Sequence, residues 1–456
     1  MEKTHRAGAR RQLTLLPLIA ATFFMVSGGP YGLEELVQKA GYHYSILILI
    51  ITPILWSLPT ALMLGELSSA IPVEGGFYIW VSRALGPFWG FQEIWLSLAA
   101  SIFDMAIYPT LFILYLARLW PWAGDHPILV GGTVIALCAA WNLTGARAVG
   151  ESSVVMTIAL LCPFLVMMAY ALMKGGVQVS PVSHTGAQND MLGGILIAMW
   201  NYMGWDNSST VAGEVENPQK TYPRAMIGAV TLVGIAYVLP VLAVSRTGID
   251  PSQWTTGAWV EAAGALAGKW LGIAIVLGGM VCGIGMFNAL VMSYTRLPMV
   301  LAEEGYLPLL LARKIESTGA PWVSVIACSI LWTLSLGLSF ERLVLIDVLL
   351  YGLSLVLEFV ALVFLRLKEP DLPRPFKVPG GLAGAITLGV MPTTLILIAL
   401  VRNRSEQIGE FSALNLGLIL IFAGPVVYLF SRAYRKSVLL IQEQAQQAAE
   451  AALQGD

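Results

Sequence analysis

The sequence predicts an all-α polytopic membrane protein, and three observations predict it. Only 12% of the 456 residues are charged and 57% are hydrophobic, with a mean hydropathy of +0.74; a soluble domain carries about 25% charged residues. Apolar runs near the length of about 20 residues that a bilayer crossing needs recur along the whole chain. The connections between them are short, and none has the composition of a separate soluble domain. A net charge of −2 argues against a nucleic-acid partner.

Twelve segments are expected to span, at 13–39, 43–70, 86–119, 127–145, 149–174, 191–214, 222–246, 268–300, 321–338, 343–367, 382–401 and 411–432, numbered here 1 to 12. Segments 3 and 8 exceed a perpendicular crossing and are expected to tilt. The tail 1–12 carries Lys3, Arg6, Arg10 and Arg11 and leads straight into segment 1, which reads as a retained anchor. With that tail in the cytoplasm, most of the 26 Lys and Arg fall on the same side: Arg83, Arg147, Lys220, Arg224, Arg296, Arg313, Lys314, Arg366, Lys368, Arg374, Lys377, Arg432, Arg435 and Lys436. The bias places both termini inside. The outer connection 247–267, with Trp254 and Trp259, is expected to form a short surface helix, and the Ala- and Gln-rich tail 433–456 a free one.

Four cysteines (Cys138, Cys162, Cys282, Cys328) lie in apolar runs without a CxxC pair, and four histidines (His5, His43, His126, His184) lie in tails or connections. The pattern suggests no disulfide framework, metal site or cofactor. No HExxH, GxSxG or nucleotide-binding loop points to an enzyme.

Two segments are interrupted. In segment 1, Gly28, Gly29, Pro30 and Gly32 follow one another at mid-membrane depth. Glycine is poor in a helix interior and proline removes a donor, so the helix should break there. The freed N–H and C=O groups then need protein, water or a ligand. A bare proline kink is the alternative. In segment 6, polar residues and a glycine displace aliphatics from Asn201 to Thr210, and the break is expected near Met203–Asn207. Corresponding breaks five segments apart point to a transporter built from two inverted halves, 13–174 and 191–367, with 382–432 added.

Acids occur inside segments: Glu34, Glu35, Glu66, Glu93, Asp104, Asp206, Glu214, Asp347 and Glu358, with no Lys or Arg near the middle of any segment. An intramembrane acid needs a partner, here a proton, a metal cation or a cationic substrate. Glu35, Glu93 and Asp347 lie near segment ends, where solvation is the expectation. Asp104 lies midway along segment 3 with Tyr108 at i+4, and Asp206 lies in the break of segment 6 between Trp205 and Asn207. Trp200, Tyr202, Trp205, Tyr31 and Tyr108 can wall a site around these two, since aromatic faces attract ammonium groups. Spaced carboxylates, aromatic walls and no fixed positive charge suit an elongated organic cation. An amino acid stays open, because free N–H groups at Gly28–Gly32 can bind a carboxylate.

Three stretches carry a resemblance: VSGGPYGLEE (26–35), GELSSAIPVEGGFYIWVSRALGPFWGFQEIW (65–95) and WNYMGWDNSSTVAGEVENPQKTYPRA (200–225). The chain resembles the amino acid–polyamine–organocation (APC) superfamily, whose fold is a LeuT-type 5+5 inverted repeat, here with two further spans. GGPYG-x-E in segment 1, IFDMAIYP (102–109) and N-x-x-x-W-D in segment 6 look like the proton-coupled polyamine uptake transporters. Amino acid members more often carry Gly-Ser-Gly-Ile where this chain has Ser27-Gly28-Gly29-Pro30. The resemblance implies a multi-pass plasma-membrane transporter working by alternating access, without cofactor, metal or obligatory protein partner. Its substrate would be a polyamine of the putrescine or spermidine class moved with protons; an amino acid–proton symporter or amino acid/amine exchanger is the alternative. The implied substrate site comprises Ser27, Gly28, Gly29, Tyr31 and Glu34, Asp104 and Tyr108, and Trp200, Asn201, Tyr202, Trp205, Asp206 and Asn207. Segment 5 has no basic residue before Lys174, and segment 8 offers only Ser293 as a hydroxyl in 283–294. A carboxylate is therefore the expected proton carrier, from Glu34, Glu66, Asp206 and Glu214, with Glu214 also a candidate gate.

Overall fold

The computed structural model describes residues 13–174, 190–336, 340–402, 407–408 and 411–454; the expected basic tail 1–12 lies outside them. Among the described residues, eight helices are long and apolar enough to cross a bilayer: Glu34–Ala70, Pro87–Ala117, Ala146–Met173, Pro218–Val244, Lys269–Glu303, Ile346–Lys368, Gly381–Ile398 and Asn415–Ser437. They fall on segments 2, 3, 5, 7, 8, 10, 11 and 12. Segments 4 and 9 form the shorter apolar helices Pro127–Asn142 and Trp322–Leu334. The final helix runs on from segment 12 to Gln454, taking in the described part of the Ala- and Gln-rich tail.

The remaining two expected segments are the broken ones. Segment 1 is helical over Leu15–Val26, extended at Ser27, and helical again from Glu34. The chain turns at Gly41 before continuing as segment 2, which loosens to a single π-helical turn at Pro53–Ser57. Segment 6 is helical over Met191–Asn201 and resumes as 3-10 turns at Trp205–Thr210 and Ala212–Glu214. Both breaks lie where glycine, proline and Asn/Asp chemistry put them.

The exterior is apolar: Leu47, Ile54, Ile128, Leu137, Ile158, Leu165, Ile227, Leu334 and Phe422 stand exposed on the long and shorter apolar helices. The interior holds Glu34, Glu66, Glu93, Asp104, Asp206 and Glu358. Such a distribution suits a lipid solvent. At the centre, Pro87–Ala117 packs against Lys269–Tyr294, Phe340–Lys368 and Gly76–Leu85, and Leu15–Val26 lies against Ala146–Lys174, Pro218–Val244 and Lys269–Tyr294.

Three expectations are corrected. The 247–267 connection does form a helix, Ala258–Ala267, but Trp254 and Trp259 are buried and packed edge to face, because the helix is folded down onto the break of segment 1. Glu93 and Asp347, expected to be solvated, are 0% and 3% exposed. Arginines at segment ends fold inward to meet acids. Glu66 accepts hydrogen bonds from Arg366 (Nε, 2.9 Å) and the Val378 amide (2.7 Å), with Arg374 at 3.3 Å. Buried Arg296 holds Glu214 (Nε to Oε1, 2.8 Å). Deleting one side of a buried ion pair leaves an uncompensated charge, costing roughly 3–5 kcal/mol. R366A combined with R374A should therefore lower stability by about that amount in equilibrium unfolding of the detergent-purified protein, and adding E66M should recover most of it.

Candidate substrate site

The two breaks face each other at the middle of the helix bundle. Each frees backbone groups that low-dielectric surroundings penalise, and side chains from four directions satisfy them. In segment 1, the Gly29 amide donates to Ser27 Oγ (3.0 Å) and the Gly32 amide to Glu34 Oε2 (2.7 Å). The Pro30 carbonyl accepts from Trp259 Nε1 (2.9 Å), and the Gly32 carbonyl from Asn201 Nδ2 (3.4 Å). In segment 6, the Asn201 carbonyl accepts from Tyr237 (2.6 Å), and the Tyr202 carbonyl from both Trp56 (3.0 Å) and Trp205 (2.8 Å). Trp56 sits in the π-helical turn of segment 2. The Gly204 amide donates to the Tyr351 hydroxyl (3.0 Å).

Between the breaks lies a narrow cavity of about 20 Å³. Its walls come from segment 1 (Met25, Val26, Gly28, Tyr31), segment 3 (Asp104, Tyr108, Leu111), segment 6 (Trp200, Asn201, Met203, Gly204, Asn207), segment 8 (Met286, Tyr294) and segment 10 (Asp347, Tyr351). Glycine is required at two of these positions. A Cβ on Gly28 would stand 2.1 Å from Cys282 Sγ, and Gly204, at φ +91°, would push one to 2.3 Å from the Met25 carbonyl oxygen. The break of segment 6 thus rests on the end of the first helix.

Among the described residues, the cavity wall carries carboxylates and phenols but no Lys, Arg or His. Tyr108 donates a short hydrogen bond to Asp104 Oδ1, and Tyr294 approaches Asp104 Oδ2 at 3.4 Å. Tyr351 donates to Asp206 Oδ1, which sits just behind the wall. Asn207 Oδ1 accepts from Ser293 Oγ (2.7 Å), whose oxygen also meets Thr210 Oγ1 (3.1 Å). Among the described residues no group of three or more His, Cys, Asp or Glu side chains is arranged to hold a metal ion, so the acids are spread around the cavity.

Of the residues expected at the site, Gly28, Tyr31, Asp104, Tyr108, Trp200, Asn201 and Asn207 line the cavity together. Ser27, Gly29, Tyr202 and Trp205 build the breaks instead; Tyr202 turns its hydroxyl to the Leu49 carbonyl (2.9 Å). Glu34 lies apart, ringed by the Gly32 amide, Tyr115 (2.8 Å) and the Gly257 amide (3.0 Å), and ties segment 1 to segment 3 and to the 247–267 connection. Asp347 and Tyr351 were missed. Their signal was in the sequence: Asp347-x-x-x-Tyr351 repeats the spacing of Asp104-x-x-x-Tyr108.

The amino acid permease family model matches residues 19–423. The chain belongs to the amino acid permease family. Polyamine transporter RMV1 of Arabidopsis thaliana is 34% identical over 419 residues, covering 90% of this chain and 84% of that protein. Polyamine transporter PUT1 of Oryza sativa subsp. japonica is 35% identical over 426 residues, 90% and 78% of the two chains. The serine/threonine exchanger SteT of Bacillus subtilis (strain 168) is 25% identical over 340 residues, 71% and 75%. The protein is accordingly a multi-pass membrane transporter of small organic solutes in the APC superfamily, and neither the family nor these relatives are enzymes.

At Gly204 the permease pays for both its left-handed backbone and its close approach to Met25. G204A should lower stability by roughly 1–3 kcal/mol and weaken binding of whatever ligand the cavity holds. Thermal unfolding with and without ligand measures both effects.

Proposed function

We propose that this permease is a secondary active transporter that takes up polyamines of the putrescine or spermidine class together with protons, by alternating access, at the plasma membrane. The single observation behind this reading is the cavity wall: two aspartates on it, a third one hydrogen bond behind it, aromatic rings between, and no basic side chain. An ammonium group can be matched by a carboxylate, and its methylene chain by rings and Met side chains. The names of the plant relatives favour the same substrate class. The LeuT-type 5+5 inverted repeat with two added spans, both termini cytoplasmic, is the architecture we assign to it. The paired breaks support that assignment.

The amino acid symport or exchange reading draws on the family name and on the serine/threonine exchanger. It needs backbone donors for an α-carboxylate, and the amides of Gly29 and Gly32 are already used by Ser27 and Glu34. In our reading the Glu214–Arg296 pair acts as a gate on the N-terminal side, because it ties the inner end of segment 6 to the end of segment 8. Leu13 adds a second tie there, accepting from the Glu216 amide and donating to the Glu214 carbonyl (both 2.9 Å).

The test is uptake of labelled putrescine or spermidine into proteoliposomes under an imposed pH gradient. Accumulation that collapses with the gradient is expected, and no polyamine uptake under any gradient would overturn the reading. D104N, D206N and D347N should each weaken putrescine binding tenfold or more, equivalent to about 1.4 kcal/mol. Binding of a neutral amino acid should change less. Equal putrescine affinity in the three variants and wild type would refute the placement of the site.

A further inference from the structure

Segments 3 and 10 face each other with matching polar stripes. On Pro87–Ala117 the stripe is Glu93, Ser97, Ser101, Asp104 and Tyr108; on Phe340–Lys368 it is Asp347, Tyr351, Ser354 and Glu358. The intervals of three and four keep each stripe on one helix face. The helices run in opposite senses, so Asp104 and Asp347 share the cavity while Ser97 and Ser354 meet at 3.0 Å further along. Ser354 also donates to Glu93 Oε1. From Asp104 to Glu93 the seam runs about 16 Å along the helix, away from the cavity and toward the end of segment 3 that follows Arg83.

The far end of this seam is unlike the rest. Glu358 is fully buried, and neither of its carboxylate oxygens has a hydrogen-bond partner among the described residues; Glu93 is fully buried with Oε2 likewise unpartnered. Their carboxyl groups, with that of Asp206, lie within electrostatic reach of one another. The other titratable groups on elements packed against segment 10 are engaged or exposed. Glu66 is held by Arg366 and Arg374, Arg83 by Glu369, and Tyr78 by Glu304. On the last helix, Arg435 turns to Tyr306, Tyr428 packs against Phe88 and Phe91, and Arg432, Tyr434 and Lys436 are exposed. No cation reaches the pair among the described residues. Two ionised carboxylates cannot share a dry site without a countercharge, and one or both must carry a proton.

We propose that Glu93 and Glu358 form a proton-binding site, distinct from the substrate cavity and joined to it by the seam through Ser354, Tyr351 and Asp206. It deepens the transporter reading and rests on it for one point, that the bound proton is the one transported. A proton entering at the cavity acids passes along hydroxyl groups to the Glu93–Glu358 pair. It leaves when the opposite conformation lets water reach Glu358, so no other reactant is consumed. This site is not among the four acids expected from the sequence. Glu66 and Glu214 are neutralised by arginines, and Glu34 is bound by three donors.

Infrared spectroscopy of the full-length protein in detergent tests the site without any substrate. A protonated carboxylic acid has a carbonyl stretch separate from that of a carboxylate. Wild type at neutral pH is expected to show this band, and E358Q or E93Q to lose part of it. An undiminished band in both variants would overturn the proposal. E358Q is expected to be at least as heat-stable as wild type, since glutamine is neutral; strong destabilisation would show instead that Glu358 works ionised, and would also overturn it. Putrescine accumulation under a pH gradient tests the link to transport: E358Q should lose the gradient-driven part, and wild-type accumulation would refute that link. If wild type transports no polyamine, the substrate reading fails while the infrared and stability measurements still decide the site.

Discussion

Everything at the centre of this protein depends on satisfying backbone groups that two broken helices release far from water. Each unsatisfied group in such surroundings costs several kcal/mol, roughly. The chain meets the cost with side chains drawn from distant segments: Trp259 from an outer connection, Trp56 from the π-helical turn of segment 2, Tyr237 from segment 7 and Tyr351 from segment 10. The breaks therefore hold their neighbours in place as much as the neighbours hold the breaks. In the alternating-access cycle proposed above, a helix that moved would have to exchange some of these bonds.

The same satisfaction limits what the cavity can bind. Exposed amides at a helix break form a ready anion site, and an amino acid carboxylate would use them. Here Ser27 and Glu34 occupy two of them from within the same short stretch. Glu34 also sets its own carboxyl oxygens where an amino acid carboxylate would need donors. The remaining side-chain polarity of the cavity comes from Asp104, Asp347, phenols and the amides of Asn201 and Asn207, with Trp200 beside them; the two carboxyl groups favour positive charge.

Much of the fold was legible because membrane depth is written along each helix as hydropathy. Length and apolarity located the eight long helices, and Gly28–Gly32 and Met203–Asn207 located the breaks. Rotation about a helix axis and the return of connections are written more weakly. Asp347 lies four residues into segment 10 as read from hydropathy, so depth alone suggested a solvated acid; its neighbour across the bundle, segment 3, is what buries it. Glu66 and Glu214 looked unpaired because Arg366, Arg374 and Arg296 were counted with the loops, from which they fold back. Trp254 and Trp259 looked interfacial for the same reason. Besides the paired breaks, the i, i+4 aspartate–tyrosine pairs in segments 3 and 10 were a long-range signal present in the sequence, and only the paired reading of both gives it meaning.

If transport is coupled to protons as proposed, segments 3 and 10 would divide the labour that a coupled transporter must keep apart. If the substrate and the proton used one carboxylate, each would exclude the other, which suits exchange and not cotransport. Asp104 and Asp347 line the cavity, whereas Glu93 and Glu358 are buried outside its lining, beyond the Ser97–Ser354 contact. A cation at the cavity acids lowers the local negative potential and so changes what the buried pair feels across the seam. Tyr351 bonds both the Gly204 amide and Asp206, and so ties the break of segment 6 to segment 10 one turn from Ser354. On the proposed reading, substrate, helix break and proton site would share one packed unit, segment 10 against segment 3, next to the backbone break of segment 6.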